Sequence, residues 1–269
     1  MVNREQAAAI GVFDSGVGGL TVVRRLAERL PSESIVYLGD TARVPYGTKS
    51  EATVIRYAQG CASILVERGI KLLVVACNTA SAYALDVLRD ELDVPVIGVV
   101  EPGARAAVAA TRNRRVGVIG TAGTVHSGVY PRAIHALDDG VEVHCKPCPL
   151  FVPLAEEGWT TGTVAHEVAQ TYLAEFAECG IDTLVLGCTH YPLLKEAIGA
   201  VMGPSVTLVD SAEATADAVS EVLSAMDAAR TEPAPGPNRF LVTDAPESFA
   251  RVGARFLGHD LSGVEWVDF

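Results

Sequence analysis

Cys77 and Cys188 are the residues of this chain best suited to chemistry, because both stand in the same local setting. Leu73-Val74-Val75-Ala76-Cys77-Asn78-Thr79 and Leu184-Val185-Leu186-Gly187-Cys188-Thr189-His190 are apolar runs that end in a thiol and small polar residues. Each predicts a buried strand that delivers a cysteine at its carboxyl end, just before a helix. A free thiol has a pKa of about 8.5, and the positive end of a helix dipole favours the thiolate. Two thiols facing each other across one cleft suit a reaction in which one removes a proton and the other supplies one. Either cysteine alone reads as a buried filler, since cysteine is common in cores. The shared flanking chemistry is what favours a functional pair.

Other polar groups cluster around these strand ends in the sequence. Asp14-Ser15-Gly16-Val17-Gly18-Gly19 follows the first predicted strand and precedes a helix, so its glycines let the backbone turn tightly and approach a ligand. The spacing is neither GxGxxG nor a P-loop, which lacks its lysine here. A carboxylate or amino group held by Asp14, Ser15 and backbone N–H groups fits as well as a nucleotide, and so does a turn with no ligand. Tyr46, in Arg43-Val44-Pro45-Tyr46-Gly47, caps a ligand or covers the core. Asn78, Thr79 and Thr189 offer short uncharged donors for a carboxylate. His190 adjoins Cys188, and Asp14 approaches Cys77 if both strands end at one cleft. Glu156 and Glu157 read from their own residues as surface charges.

Positioning these groups requires an α/β architecture. Predicted strands are Ala9–Phe13, Ser34–Leu38, Leu72–Ala76, Val94–Val99, Val116–Ile119, Val141–His144, Leu184–Gly187 and Val206–Val209. Helical patterns lie between them at Leu20–Leu30, Glu51–Arg68, Ala80–Leu92, Val164–Cys179 and Ala212–Ala228. Strand–helix alternation predicts parallel sheets with sites at the carboxyl ends of the strands. A second echo, Gly11-Val12-Phe13-Asp14-Ser15 against Thr207-Leu208-Val209-Asp210-Ser211, supports two similar halves. Thr231 to Pro237 reads as a linker. It is followed by a strand at Phe240–Val242, a helix near Glu247–Phe256 and a strand at Val264–Val267, a tail too short to stand alone.

Composition narrows the function. The 269 residues are 49% hydrophobic, enough for a large core in one or two domains. A net charge of −12 argues against nonspecific nucleic-acid binding, which needs cations against phosphates. No apolar stretch is long enough to span a bilayer, and Met1 to Ala9 lacks the pattern of a signal peptide, so a cytoplasmic address is expected. Six cysteines in a long chain of this kind do not make a disulfide scaffold. Cys145-Lys146-Pro147-Cys148 has CxxC spacing. It has no second ligand pair for zinc, and an extended Leu150-Phe151-Val152-Pro153 is expected where a thioredoxin-like motif would open a helix. No metal site is expected.

Taken together, Gly11-Val12-Phe13-Asp14-Ser15-Gly16-Val17-Gly18-Gly19-Leu20, Pro45-Tyr46-Gly47, Ala76-Cys77-Asn78-Thr79-Ala80, Gly120-Thr121, Cys148-Pro149 and Leu186-Gly187-Cys188-Thr189-His190-Tyr191-Pro192-Leu193 resemble the glutamate racemase family, of the cofactor-independent aspartate/glutamate racemase superfamily. The resemblance runs in family order from residue 11 to about residue 211. It implies two similar parallel-sheet α/β domains related by pseudo-symmetry, with the active site in the cleft between them. One would hold residues 1–98 with 210–269, the other residues 99–209. It implies interconversion of L- and D-glutamate for peptidoglycan, with Cys77 and Cys188 as the acid/base pair. Asp14, Ser15, Tyr46, Gly47, Asn78, Thr79, Thr121, Thr189 and His190 would line the substrate site. Asp14, Glu156 and His190 would tune proton transfer. The resemblance also admits a homodimer, while the sequence itself does not fix the oligomeric state.

Many racemases acidify the α-proton with pyridoxal phosphate on a lysine. Here no lysine stands in the cleft motifs; Lys71 precedes a strand and Lys195 lies in a helix. The expectation is therefore a cofactor-free enzyme. Competing readings are a racemase of aspartate or a hydantoin, a non-catalytic two-domain protein closing on a small anion, and a dinucleotide enzyme using Asp14 to Gly19.

Overall fold

In a computed structural model, residues 4–234 and 236–268 are described. Met1 to Asn3 of the amino-terminal stretch, Pro235 of the expected linker and Phe269 lie outside them. The strands are β1 (Ala9–Asp14), β2 (Ile35–Gly39), β3 (Ile70–Val75), β4 (Val96–Gly98), β5 (Arg115–Gly120), β6 (Glu142–Pro147), β7 (Thr183–Gly187), β8 (Thr207–Asp210), β9 (Arg239–Val242) and β10 (Val264–Trp266). They form two all-parallel sheets, ordered β10-β9-β2-β1-β3-β4 and β6-β5-β7-β8.

The order β2-β1-β3-β4 in one sheet repeats as β6-β5-β7-β8 in the other. β1 and β5 are equivalent central strands, and β3 and β7 are equivalent neighbours. Cys77 and Cys188 therefore follow equivalent strands. The second echo is not part of this repeat. It compares β1, a central strand, with β8, an edge strand, and reflects only a shared local pattern of an apolar strand ending in Asp-Ser. The tail extends the first sheet beyond β2, with β9 beside β2 and β10 beside β9.

Both sheets are covered on both faces, which parallel strands require. In the first, Ile10, Val12, Ile35, Tyr37, Leu72 and Val74 point into one core, while Phe13, Val36, Leu38, Leu73 and Val75 point into another. The first of these cores is shared. Ile119, Leu184 and Leu186 of the second sheet enter it, joined by Leu20, Val23 and Leu26 of the helix Leu20–Arg29 and by Ala212, Ala216 and Val219 of the helix Ser211–Ala225. Each large aliphatic side chain buried there contributes about 1.5–3 kcal/mol. The lobes thus pack on a common apolar layer behind the strand ends.

Two local expectations are corrected. The predicted helix Ala80–Leu92 is two helices, Asn78–Tyr83 and Leu85–Glu91, interrupted at Ala84. Leu150 to Pro153 is not extended: a helix spans Phe151–Glu157, with Pro153 in its first turn, where the missing N–H costs nothing. The helix does not make Cys145 and Cys148 a redox pair. Cys145 packs into the outer core of the second sheet and Cys148 into the shared core, so the two thiols sit on opposite faces. Both remain free cysteines. No helix among the described residues is long and apolar enough to cross a membrane.

Candidate active site

Both thiols line one cavity between the carboxyl ends of the two sheets, with Ser15, Tyr46, Gly47, Asn78, Thr79, Thr121, Thr189 and His190 around them. Asp14 is the one expected residue not on the wall. It ends β1 directly behind Ser15, fully buried, and its Oδ2 accepts the Gly16 N–H at 3.0 Å. Gly47, Thr121 and Glu156 were tied to the site by the family resemblance alone, and Val44, Pro45 and Val152 were not assigned to it. Apolar side chains carry no chemical signature, so nothing in the sequence marks Val44, in a loop, or Val152, in the helix Phe151–Glu157.

The cavity is bounded by contacts that cross between lobes. On one side the hydroxyls of Thr79, Thr121 and Thr124 form a triangle with edges of 2.9, 3.1 and 3.1 Å, and the Tyr83 hydroxyl donates to the Gly123 carbonyl at 2.9 Å. On the other side the Thr21 hydroxyl donates to the Thr189 carbonyl at 3.0 Å. There too Arg255, on the helix Pro246–Leu257, donates to the Glu156 carbonyl. Tyr46 serves core and cavity together. Its hydroxyl donates to buried Asp40 at 2.6 Å, and the Pro45-Tyr46-Gly47 segment forms part of the wall.

The two thiols have different electrostatic settings. Cys77 caps the helix Asn78–Tyr83, where its sulfur accepts the Ala80 N–H at 3.5 Å and lies 3.6 Å from the Ser15 hydroxyl. Burial and the charge of Asp14 nevertheless outweigh these donors and push its pKa up to about 12. The preference of the helix dipole for the thiolate is therefore outweighed at this cysteine. A two-turn helix end is weak against complete desolvation. Burial also raises the Asp14 carboxyl, opposed by His190 and by backbone N–H groups. At Cys188 no α-helix starts directly; a 3₁₀ turn, Tyr191–Leu194, comes first.

The neighbour that matters at Cys188 is His190. Its Nδ1 is 3.9 Å from the Cys188 sulfur and its Nε2 is 2.9 Å from Glu156 Oε1. Burial opposes the charged ring, yet the bonds to Cys188 and Glu156 prevail and its pKa is raised to about 10. The imidazolium donates from both nitrogens, one toward sulfur and one toward carboxylate. Phe256 packs edge-on against the ring, with centroids 5.1 Å apart. Glu156→Gln removes the charge but keeps the hydrogen-bond geometry. The His190 midpoint is then expected to fall by about one unit, the low end for a neighbouring charge because Glu156 is partly exposed. A ¹⁵N NMR titration of His190 checks this, and an unmoved midpoint would show that the carboxylate is not what holds the proton.

This arrangement offers a protonated thiol on one side of a small chamber, a sulfur beside a cation on the other, and short donors between them. Among the described residues no cluster of His, Cys, Asp or Glu has the form of a metal site. The wall carries no lysine. Lys71 lies at the start of β3, where its Nζ is 2.6 Å from buried Glu33, and Lys195 pairs with Asp210 at 2.8 Å.

Comparison with known proteins supplies the family. The chain is 59% identical over 259 residues to the glutamate racemase of Geobacter metallireducens, covering 96% of each. It is similar to the crystal structure of the glutamate racemase isoform RacE1 of Bacillus anthracis, with a TM-score of 0.94, 41% identity and 98% of each chain covered. The glutamate racemase of Francisella tularensis, crystallised with D-glutamate, matches with a TM-score of 0.92 and 39% identity, again over 98% of each chain. Residues 10–219 match the Asp/Glu/Hydantoin racemase model, and the chain belongs to that family.

Proposed function

We propose that this protein interconverts L- and D-glutamate by a two-thiol, cofactor-independent mechanism. The observation that carries the reading is the placement of Cys77 and Cys188 after topologically equivalent strands, on the wall of one cavity. Inversion at carbon needs groups on both faces, since a single base returns the proton to the side it left. The relatives' substrate supports glutamate as the amino acid.

In the L-to-D direction, Cys188 removes the α-proton, and the electron pair of the C–H bond passes to the α-carbon and its carboxylate. The Cys77 thiol then delivers its proton to the opposite face. The electrostatics suit this direction: Cys77 holds its proton, and the His190 imidazolium is placed beside the sulfur that must carry charge. In the D-to-L direction the sulfurs exchange roles. Ser15, Asn78, Thr79, Thr121 and Thr189 are assigned to the carboxylates, with backbone N–H groups. Closed lobes exclude water and strengthen these dipoles as charge develops. We assign the lobes to residues 1–98 with 210–269 and residues 99–209. We place the product, D-glutamate, in peptidoglycan synthesis in the cytoplasm.

The test is α-proton exchange in heavy water. Each glutamate enantiomer, incubated with purified protein and no added cofactor, is expected to gain deuterium as it inverts, and aspartate to react far more slowly. Binding without exchange would reduce the protein to a small-anion receptor. Dependence on added pyridoxal phosphate or metal would overturn the cofactor-free mechanism.

A further inference from the structure

Asn78 opens the helix after β3 and is buried between the lobes. Its Oδ1 accepts a hydrogen bond from the Tyr130 hydroxyl at 2.7 Å. Its Nδ2 is buried and has no hydrogen-bond partner among the described residues. A buried NH₂ without an acceptor is costly unless a ligand supplies one, and Asn78 lines the cavity that holds both thiols. One end of this amide is satisfied by protein and the other is left for something else.

Tyr130 reaches Asn78 from the opposite lobe, on the helix Val129–His135. It is 1% exposed, and its ring occupies a slot that two glycines keep open. A Cβ at Gly187 would lie 3.0 Å from the ring, and one at Gly103 would lie 3.3 Å from the hydroxyl. The only hydrogen bond of the phenol among the described residues is the one to Asn78. A phenol can donate or accept, so alone it does not decide which way an amide faces. Here it donates, to Asn78 Oδ1, and Asn78 Nδ2 is left without a partner among the described residues. The NH₂ end of the amide is then the free one.

We propose that Tyr130 is a positioning residue for substrate recognition: its hydroxyl holds the Asn78 amide with the NH₂ end toward a carboxylate of the bound amino acid. The inference rests on the reading of Asn78 as a substrate contact. It adds that one lobe orients a ligand donor carried by the other, so the contact is complete only when the lobes are closed. Tyr130 itself takes no part in proton transfer.

The experiment is a double-mutant cycle on steady-state racemisation in both directions, with Tyr130→Phe, Asn78→Ala and the double variant. Phenylalanine fits the same slot and removes only the hydroxyl. Tyr130→Phe is expected to raise KM about tenfold for both enantiomers, the scale of one hydrogen bond to a charged group, with kcat within about twofold. In the Asn78→Ala background the same change is expected to add less than about twofold. Independent, multiplying effects would overturn the inference, as would a loss confined to kcat. An unchanged KM in Tyr130→Phe beside an impaired Asn78→Ala overturns the Tyr130 role alone. An unchanged KM in Asn78→Ala overturns the substrate-contact reading and the inference with it. A crystal structure of the wild type with D-glutamate decides the matter if Tyr130→Phe fails to fold. The amide is expected between the Tyr130 hydroxyl and a ligand carboxylate, and an amide turned away from the ligand refutes the proposal.

Discussion

Replacing either Cys77 or Cys188 by alanine is expected to reduce kcat/KM for racemisation by at least about 10³-fold in both directions, toward the upper range for loss of a general acid or base. The effect is symmetrical because each enantiomer needs one sulfur as base and the other as acid. The exchange pattern is not symmetrical. Cys188→Ala leaves Cys77, which faces the D enantiomer, so slow deuterium uptake by D-glutamate without inversion is expected, and none by L-glutamate. Cys77→Ala is expected to show the reverse. Each side chain is nearly buried, and truncation removes a single sulfur atom, so thermal unfolding by circular dichroism separates lost chemistry from a lost fold. Near-normal racemisation by either variant would remove the two-base scheme. Equal residual exchange of both enantiomers by one variant would overturn the assignment of each sulfur to one face.

How far this site was legible in the sequence depended on the kind of signal each residue carries. A thiol after an apolar run is visible because β3 and β7 are buried on both faces and read as unbroken hydrophobic stretches. The parallel sheets followed from strand–helix alternation, and strand ends were placed to within a few residues. The equivalence of β3 with β7 was suggested by matching flanks. The match between β1 and β8 pointed to two similar halves, which are present, but through strands that are not equivalent, because two apolar residues before Asp-Ser describe many buried strand ends. Only strand order, a non-local property, distinguishes the true repeat.

Side-chain partnerships across the lobes were the least legible. Glu156 and Glu157 are adjacent acids, and nothing local tells which one turns toward His190. That choice depends on the bend at Gly158, whose φ of 79° ends the helix Phe151–Glu157, and on Arg255, about a hundred positions away in the chain, holding the Glu156 carbonyl. The protonation of Cys77 was not legible for a related reason. Its helix position could be read locally, but its burial beside Asp14 depends on how the sheets close over it. Tyr46 was legible as a residue that caps a ligand or covers the core; the structure buries its ring in the core and puts the Pro45-Tyr46-Gly47 segment on the cavity wall.

Gly18→Ala is expected to produce the largest effect of any substitution outside the substrate contacts. Gly18 is not among the glycines with positive φ, so alanine's backbone is permitted there and the consequence is purely steric. An added Cβ would overlap both Thr189 Oγ1 and the His190 ring. These residues cannot yield independently. The Thr189 carbonyl is held by Thr21, three residues along the same segment as Gly18, and the ring is held by Glu156 and Phe256. Relief must come from moving the Cys188-Thr189-His190 turn away from the first lobe. Overpacking of this kind costs about 1–3 kcal/mol of stability, and a displacement on the order of 1 Å at the reacting groups costs about 10²-fold in kcat/KM. Gly199→Ala is the control. It makes the same chemical change inside the helix Lys195–Met202, where the nearest atom to the new Cβ is 3.7 Å away. There alanine's helix preference is expected to raise stability by up to about 1 kcal/mol with activity unchanged. Chemical denaturation and kinetics of both variants check the pair. Full activity in Gly18→Ala would mean that the two lobes are not seated on each other at this turn during catalysis.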